Sequence, residues 1–378
     1  MADGSGGAAP GNRALVMGIR LIYASPERDA DLLYWSRVFT CDCFLAFEVD
    51  GRRRAISNVL DIDELRRNSS FDEVSLPGDW TQEKNPSVAD LIQCICEKFP
   101  RDPLQLPANF PAYLLLELQE RRLPFSVTDG AFLPERSVKS PGEMDQICRA
   151  CAIISGAFER VRSLLAAAEI VDGFLHYNNK ILTSEWVRSE IAGVCFAGGA
   201  IAKETIVSCG EQAAYPHNRG SGALRAGEFI VVDVFPRLLE SGYYGDMTRT
   251  FLRGTPSKKQ VKMYDAVRAV QARAIGAIRA GKNGKEIHEN NVKMFADMGY
   301  PSTDSTGFFH STGHGVGLDL HESPSIGSRD YTLQTGEIVT VEPGLYYPEM
   351  GGVRIEDVAV VRENGAELLS NFSYDWVI

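Results

Sequence analysis

From residue 19 to about 130, short apolar runs alternate with stretches of helical periodicity. The runs 19-IRLIYAS-25, 43-CFLAFEV-49 and 54-RAISNV-59 read as strands, whereas 87-SVADLIQCICEKF-99 spaces its apolar residues as a helix does. This alternation predicts a small α/β domain over residues 19–133. Ahead of it, the Gly- and Ala-rich residues 1–18 predict a disordered tail. The pattern changes at 134-PERSVKSPGEM-144. There Ser140, Pro141 and Glu143 form an N-cap, a first-turn proline and a capping-box acid, opening a long helix to about Ala168. A second long helix is expected from 255-TPSKKQVKMY-264 to Gly281, and shorter ones at about 183–198 and 284–298. Residues 134–378 thus read as a second domain of α+β class.

The order of elements in that domain repeats. The segment 224-LRAGEFIVVDVF-235 can be laid on 333-LQTGEIVTVEPG-344, with Leu, Gly, Glu and the apolar strand coinciding. Asp233 and Glu342 each fall six residues after the matched glycine. A second acid follows in each copy, Asp246 thirteen residues after Asp233 and Glu356 fourteen after Glu342. Aspartate is a poor strand residue, so its place in 231-VVDVF-235 needs a reason. Two halves, each a helical layer followed by a carboxylate-bearing antiparallel ribbon, would pack about a pseudo-twofold. Four acids would then meet between the sheets.

Composition narrows the function. The chain has 378 residues, long enough for two cores, and a net charge of −11. That balance argues against a general nucleic-acid or anionic-membrane binder, since phosphate contacts need Lys and Arg. No apolar run approaches the roughly 18 to 20 residues needed to span a bilayer. The start carries no charged segment followed by an apolar one, so a cytoplasmic protein is expected. Its eight cysteines, including Cys41/Cys43, Cys94/Cys96 and Cys148/Cys151, then read as reduced, buried small hydrophobes and not as a zinc site.

Four carboxylates in one cleft cannot all stay ionised unaided, because like charges and desolvation raise their pKa values. Two divalent cations would cancel the charge. A set that also contains an imidazole suits Mn²⁺, Co²⁺, Fe²⁺ or Zn²⁺ better than Ca²⁺. The imidazole is expected in 310-HSTGHGVGLDLHESP-324, which holds three of the six histidines. Its spacing of 310, 314 and 321 suits a strand or loop. His217, in 213-AAYPHNRG-220, is a further candidate, while His176 and His288 lie in helix-like text and read as structural.

The motif GHGVG followed by HE, with D, D, E and E in this order, resembles the pita-bread metallopeptidases, among them methionine aminopeptidase, aminopeptidase P and prolidase. The likeness covers about residues 137–378, and the N-terminal part is similar, by length and pattern, to the creatinase-type domain of prolidase and aminopeptidase P. The resemblance implies five ligands for two divalent metal ions, Mn²⁺ foremost. Asp246 and Glu356 would bridge, Asp233 would hold one ion, and His314 with Glu342 the other. His310, Arg354 and the extra N-terminal domain resemble the proline-directed branch, not the methionine aminopeptidases.

That branch implies hydrolysis of Xaa-Pro bonds, either at the N-terminus of peptides with proline second or in dipeptides. Glu342 would also accept the proton of the attacking water. His321 and His217 would bind the substrate and its oxyanion, and His310 and Arg354 the proline side or a carboxylate. A homodimer is expected on the same ground. A non-catalytic pita-bread binding protein is the competing class, and such proteins typically lose ligands that are all present here. One departure stands out: the Asp233–Asp246 spacing is two residues wider than is usual in the family. The extra pair falls in 236-PRLLES-241 and is expected to lengthen the hairpin tip without changing strand parity.

Overall fold

The computed structural model describes residues 18–100 and 103–378. The tail expected over 1–18 therefore lies, apart from Gly18, outside the described residues. The chain forms two compact units, one ending at Leu133 and the other spanning Pro134–Ile378.

The first unit holds a six-stranded sheet. Its order is Glu73–Ser75, Arg52–Ile56, Phe44–Val49, Ile19–Ala24, Leu104–Leu106 and Phe125–Val127. The middle three strands are antiparallel and the outer pairings parallel. Side chains alternate between the faces of a strand. Leu45, Phe47 and Val49 accordingly pack with Leu91, Ile92 and Ile95 of helix Val88–Lys98, while Phe44 and Ala46 meet Trp35 and Leu65. Helices thus cover both faces of the sheet.

In the second unit Ser140 caps helix Pro141–Ala167 with its capping box to Glu143. Ser257 caps helix Lys258–Ala277 through Gln260. Each packs on the shorter helix that follows it, Ser184–Ala197 and Gly284–Asp297 respectively. The second long helix ends before the expected Gly281. Ile278 turns to an extended conformation and buries its side chain against Ile287, Leu333 and Val339, while Gly281 (φ +77°) makes the turn beyond. His176 lies on the short strand Phe174–Tyr177, not on a helix. Among the cysteines Cys151 and Cys195 are buried as expected, whereas Cys41, Cys43 and Cys148 are exposed; all eight are free.

Two antiparallel ribbons follow the helical layers. Strand Ile230–Val234 pairs with Met247–Phe251 and, on its other edge, with Ile206–Cys209. Strand Ile338–Val341 pairs with Asp357–Val361 in a five-stranded sheet that also contains Gly313–Gly315 and Glu322–Ile326. The ribbons meet where the backbone N–H of Glu356 donates to the Thr248 carbonyl at 3.0 Å.

Register in the first ribbon is unbroken. The pairing Asp233↔Thr248 and Val234↔Met247 runs on to a bridge at Arg237↔Tyr244. The wider spacing therefore introduces no bulge, but Pro236–Leu238 belongs to the ribbon and is not a free tip. Arg237–Leu238 also pairs with Ala200–Ile201, and the turn proper is 239–242.

Candidate metal centre

Strand ends deliver the four acids to one cleft. Asp233 is the fourth residue of its strand, Asp246 immediately precedes Met247–Phe251, Glu342 immediately follows Ile338–Val341, and Glu356 immediately precedes Asp357–Val361. His314 is the middle residue of strand Gly313–Gly315, whose glycines lie so close to neighbouring backbone that a Cβ on Gly313 would fall 1.9 Å from the Thr340 carbonyl oxygen. A cleft of about 950 Å³ is lined by all five of these residues together with His217, His310, His321 and Arg354. Every sequence-predicted site residue therefore borders one cavity.

Oxygen or nitrogen atoms of Asp246, His314 and Glu356 lie within 4.8 Å of one another. The His314 Nε2 is 3.3 Å from Glu342 Oε1 and 3.7 Å from Asp246 Oδ2. Its Nδ1 donates to the Gly315 carbonyl at 3.1 Å, which fixes the tautomer and leaves Nε2 as a lone pair. Burial, helped by His321, holds this imidazole down to about 4, so it is neutral at physiological pH. A lone pair thus faces carboxylate oxygens that are themselves acceptors.

The acids feel the same conflict. Burial, then the charges of Asp233 and Glu342, hold Asp246 well above the ordinary carboxylate range. Glu356 is raised by burial and by Asp246, Glu342 and Asp233. Burial pushes Glu342 up to about 8 against the pull of Arg354, with Asp233 adding to the rise. Asp233 Oδ1 is buried with no hydrogen-bond partner among the described residues. Acceptors of Asp246, His314 and Glu356 gathered within one ion's reach, beside a buried unpartnered acceptor of Asp233, are what divalent cations satisfy, so the donor set fits a metal centre.

Arg354 organises the rest. Its Nη2 donates to Asp233 Oδ2 at 2.6 Å, its Nε to Thr248 Oγ1 at 3.1 Å, and its Nη1 to the Tyr346 hydroxyl at 3.0 Å. Thr248 in turn donates to Glu356 Oε2 at 2.8 Å. His310 has both ring nitrogens engaged: Nδ1 donates to the Ser311 carbonyl at 2.8 Å, and Nε2 accepts from Tyr346 at 3.0 Å. Burial and then Arg354 hold it down to about 3, keeping it neutral. Both His310 ring nitrogens are thus engaged, one with Ser311 and one with Tyr346. His217 and His321 are exposed on the cleft wall, and the His321 ring stands edge-on to His314 at 4.2 Å between centroids.

Sequence reasoning missed Thr248 and Tyr346. Both sit at even spacing from an acid on the same ribbon, two residues after Asp246 and four after Glu342, so strand parity could have found them. It also missed the buried Arg249–Asp357 pair (2.8 Å) behind the site. Arg249 Nη1 there donates to the Glu356 carbonyl, and Gln271, Ser370 and Tyr374 complete the Asp357 carboxylate.

A model of metallopeptidase family M24 matches residues 145–363. The chain belongs to that family. Two M24 relatives are the Xaa-Pro dipeptidase of Pyrococcus furiosus, 34% identical over 65% of this chain and 66% of the relative, and that of Pyrococcus horikoshii, 31% identical over 71% and 72%. The solved X-Pro aminopeptidase of Thermotoga maritima superposes with a TM-score of 0.80 and 25% identity, over 96% of this chain and 98% of the other. The M24 peptidase described here is thus α+β, with the pita-bread fold.

Proposed function

We propose that this M24 peptidase hydrolyses Xaa-Pro bonds with two divalent metal ions, Mn²⁺ foremost and Co²⁺, Fe²⁺ or Zn²⁺ as alternatives. The observation that carries this reading is the cleft lined by Asp233, Asp246, His314, Glu342 and Glu356, in which ligand atoms of Asp246, His314 and Glu356 lie within 4.8 Å of one another and a neutral imidazole lone pair faces carboxylate oxygens. Asp246 and Glu356 would bridge the ions, with Asp233 on one and His314 and Glu342 on the other. When bound, such ions supply Lewis acidity and let water ionise near neutral pH.

The chain's own groups divide the remaining work. Glu342, ionised once its neighbours are neutralised, takes the proton of the attacking water at a carboxylate oxygen. His217 and His321 offer ring N–H groups to the substrate carbonyl oxygen as it gains charge. Arg354, held by Asp233 and Tyr346, faces the cleft and is assigned the proline side of the substrate, with His310 fixing it from behind. An Xaa-Pro bond is a tertiary amide without an N–H, so a site that grips the oxygen and not the nitrogen suits it.

The names of the relatives support Xaa-Pro dipeptidase activity, and the aminopeptidase fold neighbour keeps N-terminal cleavage of longer peptides as the second specificity. The first unit is assigned as a creatinase-like domain over 19–133 and the second as the catalytic domain over 134–378. A cytoplasmic homodimer is proposed, the compartment supported by the free cysteines. Among the described residues no helix is long and apolar enough to cross a membrane. The test is a panel of Xaa-Pro, Xaa-Pro-Xaa and longer peptides assayed after metal stripping and reloading with each ion. Full hydrolysis by stripped protein, or none with any ion, overturns the reading. Cleavage of dipeptides alone identifies the dipeptidase, and light scattering reads the dimer.

A further inference from the structure

His321 presents a puzzle of support. Its ring makes no hydrogen bond to the protein among the described residues, although it stands beside His314 on the cleft wall. Its position must come from the turn that carries it, residues 317–321, between strands Gly313–Gly315 and Glu322–Ile326. That turn is fastened by the Tyr244 N–H, which donates to the Gly317 carbonyl at 2.8 Å, and by the side chains of Asp319 and Glu322. The Glu322 carboxylate folds back over Gly317, where a Cβ would lie 2.6 Å from Oε1, and accepts the Asp319 backbone N–H at 3.3 Å.

Two cations from the segment ahead of the long helix hold that carboxylate. Arg136 Nη2 donates to Glu322 Oε2 at 2.6 Å and to Asp319 Oδ2 at 2.8 Å, and Lys139 Nζ donates to Glu322 Oε1 and to the Ser137 carbonyl. The Lys139 side chain is 1% exposed and that of Glu322 9%. The buried Lys139 and the part-buried Arg136 thus meet two acids, Asp319 in the middle of the turn and Glu322 just after it. The Glu322 backbone pairs with Gly315, next to His314, so the same residue joins the turn to the strand of a proposed ligand.

We propose that Arg136 and Lys139 are positioning residues for His321, acting through Glu322. An ordinary surface ion pair would not need two cations, one of them buried, on one carboxylate that is itself only 9% exposed. Here they brace the backbone on both sides of a histidine whose ring packs on His314 but makes no hydrogen bond to the protein among the described residues. The inference rests on the reading of His321 as an oxyanion-binding group, because only then does its position govern rate.

A double-mutant cycle on the metal-loaded enzyme tests it. Glu322→Gln keeps the shape and removes the charge. It is expected to lower kcat on an Xaa-Pro dipeptide by about ten- to a hundredfold, with KM changed much less and bound metal unchanged by elemental analysis. In a His321→Ala background the same substitution is expected to change kcat by less than about twofold, since the group it positions is gone. Full additivity in that background overturns the proposal, as does wild-type kcat in Glu322→Gln. The two readings fail separately. Wild-type rates in His321→Ala remove the oxyanion role itself, whereas an impaired His321→Ala beside an unimpaired Glu322→Gln removes only the clamp. Should Glu322→Gln not fold, Arg136→Gln carries the same cycle with the Lys139–Glu322 pair intact, and Arg136→Lys is expected to restore part of the rate.

Discussion

The two ribbons of the catalytic unit descend from the same pattern, yet they set their acids differently. In the second, register runs unchanged from Val341↔Asp357 to Gly344↔Arg354, so Glu342 and Glu356 fall directly opposite each other. In the first, Asp233 pairs with Thr248 and Asp246 lies opposite Phe235, so the two aspartates are diagonal neighbours on one face. Directly opposed side chains start about 4.5–5.5 Å apart at Cβ and diagonal ones about 7–8 Å. The diagonal pair has a wider gap, and the second ribbon supplies Arg354 to hold Asp233 across it. The two arms thus share a sequence pattern but set their acids at different registers.

The comparison is broken most severely at the residues where the arms converge. Asp246→Asn and His314→Ala are each expected to lower Xaa-Pro hydrolysis by about a thousandfold or more and to remove bound metal, read by peptide assay and elemental analysis. Retained activity with retained metal in either variant would show that the arms do not share a centre.

Next in size is the tie between the arms. The Arg354–Asp233 pair is buried, with side chains 5% and 11% exposed, so removing the cation strands a carboxylate. Arg354→Met is expected to destabilise the metal-free protein by roughly 3–5 kcal/mol, and the metal-loaded protein by less, because bound cations take over the charge. Urea unfolding with and without metal checks both. Equal losses in the two states would mean that Arg354 is a packing element and not a counter-charge.

The clustered acids also set a pH slope. Glu342 has a folded pKa of about 8 against an ordinary 4.5, so the folded protein binds the extra proton between those values and stability falls as pH rises. His314 works oppositely: its folded value is about 4 against 6.5, so its contribution is lost as pH falls below 6.5. Only the acids act between about 6.5 and 8. The metal-free enzyme is expected to lose stability across that window through the coupled acids Glu342, Asp246 and Glu356, and metal loading to flatten the slope. A metal-free stability that rises from pH 6.5 to 8 contradicts the clustering.

Much of this was readable in the sequence, for identifiable reasons. Ser140 and Ser257 announce their helices because caps act within one turn, and Asp233 stands out because an acid in an apolar strand has no local excuse. The diagonal setting of Asp233 and Asp246 was not readable, since register is fixed by strand pairing and spacing alone leaves it open. Nor was the occupation of both His310 nitrogens. It depends on Tyr346, thirty-six residues away in sequence. The Arg136–Lys139 clamp on Glu322 was hidden by a separation of more than 180 residues.

The smallest effect is expected where the two arms differ most visibly in sequence, at the wide Asp233–Asp246 spacing. Its turn, residues 239–242, lies beyond the bridge Arg237↔Tyr244 and carries exposed Leu239 and Glu240. Inserting Gly-Ser between Glu240 and Ser241 leaves every pair of the ribbon in register, and lengthening a loop costs little entropy. Activity within about twofold of wild type is expected. Inserting one glycine between Phe235 and Pro236 instead forces a bulge or a one-residue slip beside Asp246, and a slip turns every side chain to the other face. That variant is expected to lose metal and activity, as Asp246→Asn does. If both insertions prove equally harmless, register does not hold the first arm. If both prove equally damaging, the turn and its pairing with Ala200–Ile201 hold it as much as the ribbon does.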